Sequence, residues 1–153
     1  MRGLTAMFFT KRDQRIARIL IVEDEPLIAF DNEHALQQAG YTVVATVDRF
    51  RDADAVLSGE EGVDLVIADI RLRGVRSGIE LARHARELGV AVLFATAACP
   101  DEARDMGVAL GVLAKPFQPR DLIRTIGICE QLLAGRKPSR IPPRLTLFPL
   151  PSA

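Results

Sequence analysis

Four short apolar runs, each ended by a polar residue, constrain the fold more than any other feature of this chain. Arg18–Val22 runs into Glu23 and Asp24, and Leu65–Ala68 into Asp69. Residues 91–95 run into Thr96, and residues 112–114 into Lys115 and Pro116. Such runs are too short for helices and too uniformly apolar for strands with one wet face. They suit strands buried on both faces, as in a parallel sheet carrying helices on either side.

The segments between them read as helices, with one more strand at Thr42–Val47. Pro26 fits the first turn of a helix, where its missing N–H would have no partner anyway. Ile28, Asn32, Ala35, Leu36 and Ala39 then fall on one face, and Gly40 is a stop. A short helix is predicted over 52–57, and one over 78–88 with Leu81, Ala85 and Leu88 inward. A weak helix follows over 101–106, and a last one over Pro119–Leu133 buries Leu122, Ile126, Cys129 and Leu133. Five βα units with right-handed crossovers predict an α/β single domain, a doubly wound five-stranded parallel sheet. Periodicity leaves the strand order open.

The 153 residues fit one domain with a real core. Charge balances at 20 basic and 20 acidic residues, but unevenly. Residues 1–18 and 136–153 hold nine bases and one acid, so the body keeps 11 bases against 19 acids. An acidic body argues against nucleic acid as the main partner. Cys99 and Cys129 form no CxxC pair, and no apolar run is long enough for a membrane span. Residues 1–10 do not read as a secretory signal, so the expectation is a soluble cytoplasmic protein. Residues 1–17 read as an N-terminal extension, 18–135 as the domain, and 136–153 as a basic tail. That tail holds five of the nine prolines and reads as extended or disordered. Its apolar residues Leu145, Leu147 and Phe148 could dock on their own domain or on a partner.

Parallel strands would bring the polar residues that end the runs to one carboxyl edge, where open α/β sheets hold their chemistry. Asp24 and Asp69 on neighbouring strands offer hard oxygen ligands suited to Mg²⁺. Asp69 could attack phosphorus to form an aspartyl phosphate. Lys115 would meet the added charge, and the Thr96 hydroxyl could donate to the new oxygens. Taken singly, each residue has a plainer role: Glu23, Asp24 or Glu25 as helix-start charges, Asp69 as a turn residue, Lys115 as a solvated cation. His34 reads as exposed, His84 as a half-buried structural residue, and Cys129 as core.

Four stretches carry a family resemblance: Ile19-Leu20-Ile21-Val22-Glu23-Asp24-Glu25-Pro26, Asp64-Leu65-Val66-Ile67-Ala68-Asp69-Ile70-Arg71-Leu72, Phe94-Ala95-Thr96-Ala97 and Lys115-Pro116-Phe117. With Gly78-Ile79-Glu80-Leu81 at a helix start, the chain resembles the receiver domain of bacterial two-component response regulators, of the stand-alone type. The resemblance implies a flavodoxin-like strand order 2-1-3-4-5 and makes Asp69 the phosphoacceptor. It implies Mg²⁺ held by Glu23, Asp24, Asp69 and the Arg71 backbone carbonyl. Thr96 and Lys115 become the phosphoryl-binding and switch residues, and Lys115–Pro116 a cis peptide. The implied partners are a sensor histidine kinase or histidine phosphotransfer protein and an unidentified downstream protein. No membrane and no attached DNA-binding domain are implied, and a homodimer through the fifth strand is allowed.

Such a protein is not an enzyme beyond catalysing its own phosphorylation and dephosphorylation. The chain departs from the family pattern in three places. Val112 stands where receivers often carry a switch aromatic, Gly74 lies in a lengthened loop after Asp69, and the stretch from Thr96 to Lys115 is short. A receiver-like binding module that no longer switches is therefore an alternative. A Mg²⁺-dependent phosphatase of the haloacid-dehalogenase kind is another. Such an enzyme needs an aspartate two residues after the nucleophile, and Arg71 stands there.

Overall fold

A computed structural model describes residues 15–149. The first fourteen residues of the N-terminal extension and the last four of the tail lie outside the described residues. The elements are β1 (Arg18–Val22), α1 (Pro26–Gln38), β2 (Thr42–Val47), α2 (Phe50–Leu57), β3 (Leu65–Ala68) and α3 (Gly78–Glu87). They continue with β4 (Ala91–Thr96), α4 (Asp101–Asp105), β5 (Gly111–Ala114), α5 (Pro119–Leu133) and β6 (Leu145–Leu147). Sheet order is β2-β1-β3-β4-β5-β6, with β1 to β5 parallel.

Successive strand residues point to opposite faces, and here both faces are covered. Leu20, Val22, Val66, Ala68, Val92, Phe94 and Val112 pack in one apolar cluster with Ala53 of α2, Leu81, Ala82 and Ala85 of α3, and Ala103 of α4. Ile19, Ile21, Leu65, Ile67, Leu93 and Leu113 pack in the other with Leu36 of α1 and Leu122, Ile126 and Cys129 of α5. This two-sided burial is why the central strands read as unbroken apolar runs. Burial pushes the Cys129 thiol up to about 12, which keeps it an uncharged core residue.

The helix ends follow local chemistry. Ser77 caps α3 by accepting from the Glu80 N–H at 3.3 Å. Gln118 and Asp121 form a reciprocal capping box ahead of Pro119 at the start of α5. The α4 helix has five residues and no side-chain cap, so little local structure holds it. His34 is exposed, and His84 is half-buried with Nε2 2.6 Å from Asp54 Oδ1, which ties α3 to α2.

Three features correct the reading of the sequence. Leu88 ends α3 at 48% exposure rather than facing the core, because the helix stops one residue earlier. Ile16, counted with the extension, is buried in the second cluster, and its N–H donates to Glu130. The sheet has six strands rather than five. Of the readings open for the tail, it is the extended one docked on its own domain that the structure shows: Leu145–Leu147 pairs antiparallel with β5 as the added strand, and Leu145 and Phe148 are buried. Gly135, at φ +76°, ends α5, and Pro138, Pro142 and Pro143 beyond it leave the chain free to return as an edge strand.

The loop after Asp69 is pulled tight under the sheet edge. The Gly78 N–H donates to the Ile70 carbonyl at 2.8 Å, and a Cβ at Gly78 would lie 2.0 Å from the Asp69 carbonyl oxygen. Main chain on both sides cannot yield easily, so Gly78→Ala is expected to destabilise the domain by about 1–3 kcal/mol. Urea unfolding followed by circular dichroism would read this as a lowered midpoint.

Candidate phosphoryl-transfer site

Backbone pairing carries the polar residues into register just past the strand ends. Val22 pairs with Ala68, and Ala68 with Phe94, so Glu23 and Asp69 leave neighbouring strands side by side. The ladder runs on through them: Glu23 N–H donates to Val47, Asp69 N–H to Val22, and Lys115 N–H to Thr96, at 2.8–3.0 Å. These bonds fix the main chain under each functional side chain. The Lys115–Pro116 peptide is cis.

Lys115 is the hub. Its Nζ lies 2.7 Å from Glu23 Oε1, 2.8 Å from Asp69 Oδ2 and 3.0 Å from Glu25 Oε1. Glu23, Asp69 and the lysine side chain are all buried. The other oxygens of the two buried acids are engaged as well: Asp69 Oδ1 accepts from the Arg71 N–H at 3.1 Å, and Glu23 Oε2 from the Glu25 N–H at 3.1 Å. Burial pushes the Glu23 carboxyl up, against the pull of Lys115. Burial alone would lower Lys115, but its hydrogen bonds to Asp69, Glu23 and Glu25 prevail and hold its ammonium well above the usual range.

Carboxylate oxygens of Glu23, Asp24, Glu25 and Asp69 all lie within 4.8 Å of one another. Two like charges about 4 Å apart repel by about 4 kcal/mol at the effective dielectric near a protein surface. One ammonium cannot neutralise four carboxylates, so the donor set is matched to an added divalent cation with a preference for hard oxygens. The acidic cluster fits Mg²⁺ on this ground.

The structure thus brings Glu23, Asp24, Asp69 and Lys115 together, with the Arg71 main chain on Asp69. Thr96 ends β4 one strand further on, and its buried hydroxyl donates to the Ala98 carbonyl at 3.3 Å rather than to the acids. Glu25 is the residue that sequence reasoning placed elsewhere. As a helix-start acid it makes no side-chain cap on α1 and reaches Lys115 instead. Three consecutive acids before Pro26 were the available signal, because a helix start needs only one of them. Val112 is buried on β5 between Phe94 of β4 and Thr146 of β6.

Comparisons with known proteins give the family and the fold. The model of the response regulator receiver domain matches residues 19–127. The chain is 37% identical over 110 residues to the transcriptional regulatory protein YbdJ of Bacillus subtilis, covering 69% of this chain and 47% of that protein. It is 32% identical over 111 residues to the phyllosphere-induced regulator PhyR of Methylorubrum extorquens, covering 71% of this chain and 41% of that protein. The chain therefore spans somewhat under half the length of these curated relatives. Among solved structures it is similar to the chemotaxis response regulator CheY4 of Vibrio cholerae, with a TM-score of 0.65 and 30% identity over 74% of this chain and 98% of that one. A CheY-like receiver domain protein of Methanospirillum hungatei gives a TM-score of 0.70 and 26% identity, over 78% of this chain and 98% of that one. With the fold, the buried acid–lysine cluster and the family model in agreement over most of its length, the chain belongs to the response regulator receiver domain family.

Proposed function

We propose that this chain is a phosphoacceptor signalling protein whose Asp69 receives a phosphoryl group from a histidine kinase or a histidine phosphotransfer protein. The observation that carries this reading is the buried Asp69 carboxylate, 2.8 Å from the Lys115 ammonium within a four-acid cluster at the carboxyl edge of the sheet. An Asp69 oxygen forms the new P–O bond as the donor's P–N bond breaks. The electron pair goes to the imidazole nitrogen, which takes up a proton. Lys115 stays charged throughout, because its three carboxylate contacts hold its proton, and it meets the charge gained at Asp69. The Thr96 hydroxyl exchanges its long bond to Ala98 for one to the phosphoryl oxygens.

Glu23, Asp24, Asp69 and the Arg71 backbone carbonyl are the residues that would hold Mg²⁺. When bound, the ion offsets the like charges of phosphoryl donor and carboxylate. The donor's landing surface lies on α1, where Leu27 is 80% and Phe30 65% exposed. Beside it an open groove of about 350 Å³, lined by Ile28, Asn32, Phe117 and Pro119, runs to Glu25 and Lys115. Among the described residues no helix is long and apolar enough to cross a membrane. The reading is completed by a cytoplasmic location, an unidentified downstream protein and a homodimer as an allowed assembly.

Incubation with Mg²⁺ and acetyl phosphate is expected to add one phosphoryl mass, which tandem mass spectrometry would locate at Asp69. Asp69→Asn should abolish the addition, and an unchanged gain in that variant would refute the assignment. Asp24→Asn removes a proposed metal ligand without opening the Lys115 contacts, so Mg²⁺ affinity by calorimetry should fall by about tenfold or more.

A further inference from the structure

The β6 strand is the element that neither the fold pattern nor the proposed chemistry uses. It closes the β5 edge through a few backbone bonds: Ala114 N–H donates to the Arg144 carbonyl at 2.9 Å, and Phe148 N–H to the Leu110 carbonyl at 3.0 Å. Close approach depends on Gly111, where a Cβ would lie 2.4 Å from the Thr146 carbonyl oxygen. Phe148 then turns into the first apolar cluster, its ring centroid 6.5 Å from that of Phe94. Phe94 lies two residues before Thr96 on β4 and pairs with Val112, which in turn pairs with Thr146. A continuous line of packed and paired residues therefore joins the Thr96 hydroxyl to β6.

Resting on the reading of Asp69 as phosphoacceptor, we infer that β6 is a latch held on the β5 edge in the unphosphorylated protein and released when Asp69 is phosphorylated. Among the described residues, the buried Thr96 Oγ1 makes one hydrogen bond, to a loop carbonyl at 3.3 Å. A phosphoryl group on Asp69 competes for that hydroxyl. Its departure frees the Ala97–Ala98 main chain leading into α4, the helix with least local support. Ala103 of α4, Val108 and Ala109 share the cluster that seats Phe148, so loosening them removes the packing behind β6. A three-residue edge strand is the least costly part of the sheet to detach. Its release leaves the backbone groups of Gly111–Ala114 without their partners, a surface suited to strand addition.

Hydrogen exchange on the full chain with Mg²⁺, with and without acetyl phosphate, tests this, with intact mass recorded on the same samples. The expected result is a mass gain together with exchange of the Phe148 and Ala114 amides about tenfold faster or more. A mass gain with unchanged exchange at both amides overturns the latch, whereas absence of any mass gain refutes the Asp69 reading instead. Gly111→Ala supplies an independent arm: Phe148 should exchange rapidly without phosphodonor while β1 and β3 amides stay protected. Continued protection of Phe148 in that variant would overturn the role given to the close approach. Should Gly111→Ala unfold, Phe148→Ala is expected to free the Ala114 amide in the same way, and a protected Ala114 there would count against the latch.

Discussion

The site exists because one ammonium holds three carboxylates, two of them buried with it and the third at the solvent edge. Lys115 leaves β5, Glu23 and Glu25 leave β1, and Asp69 leaves β3, so the contacts span the sheet's carboxyl edge. Removing a buried partner from such a cluster leaves uncompensated charge, which costs far more than the cluster gains over an apolar packing. Stability and chemistry pull in different directions here. The acids are crowded beyond what Lys115 can neutralise, and that residual negative charge is what makes the edge receptive to a divalent cation.

Everything beneath the edge serves to hold those side chains still. The central strands are buried on both faces, so no polar side chain can leave them except at an end. The parallel register then aligns those ends. Hydrogen bonds through the main chain of Glu23, Asp69 and Lys115 extend the ladder into the site itself. By contrast the Thr96 side of the site adjoins a five-residue helix and a three-residue strand. Rigid positioning of the acids and weak support beyond Thr96 sit on opposite flanks of the same edge, a division suited to a protein whose chemistry is local and whose message travels outward.

Much of this was legible in the residues. Strands β1, β3, β4 and β5 lie where the apolar runs stood to within one residue, and α1 and α5 begin at Pro26 and Pro119, because continuous two-face burial and proline's missing N–H leave strong local marks. Leu88 misled, since helical spacing makes it a core candidate while helix length, set by packing, leaves it outside. The tail left a choice open. Its prolines speak against helix, and Leu145-Thr146-Leu147-Phe148 is too short an apolar stretch for periodicity to say whether it docks on its own domain or on a partner.

By itself, then, the order of residues determined which central strands are buried, where α1, α3, α4 and α5 begin, and which side chains are chemically able to handle a phosphoryl group. Those properties arise from local periodicity, backbone restriction and functional-group type. Only the folded chain decided that Glu25 turns to Lys115 rather than capping α1, that Thr96 bonds Ala98, and that Phe148 seats against Phe94. Each of these is a contact between segments distant in sequence or a choice between competing partners. Such choices are made by the whole packing of the sheet and its helices, which no local stretch encodes.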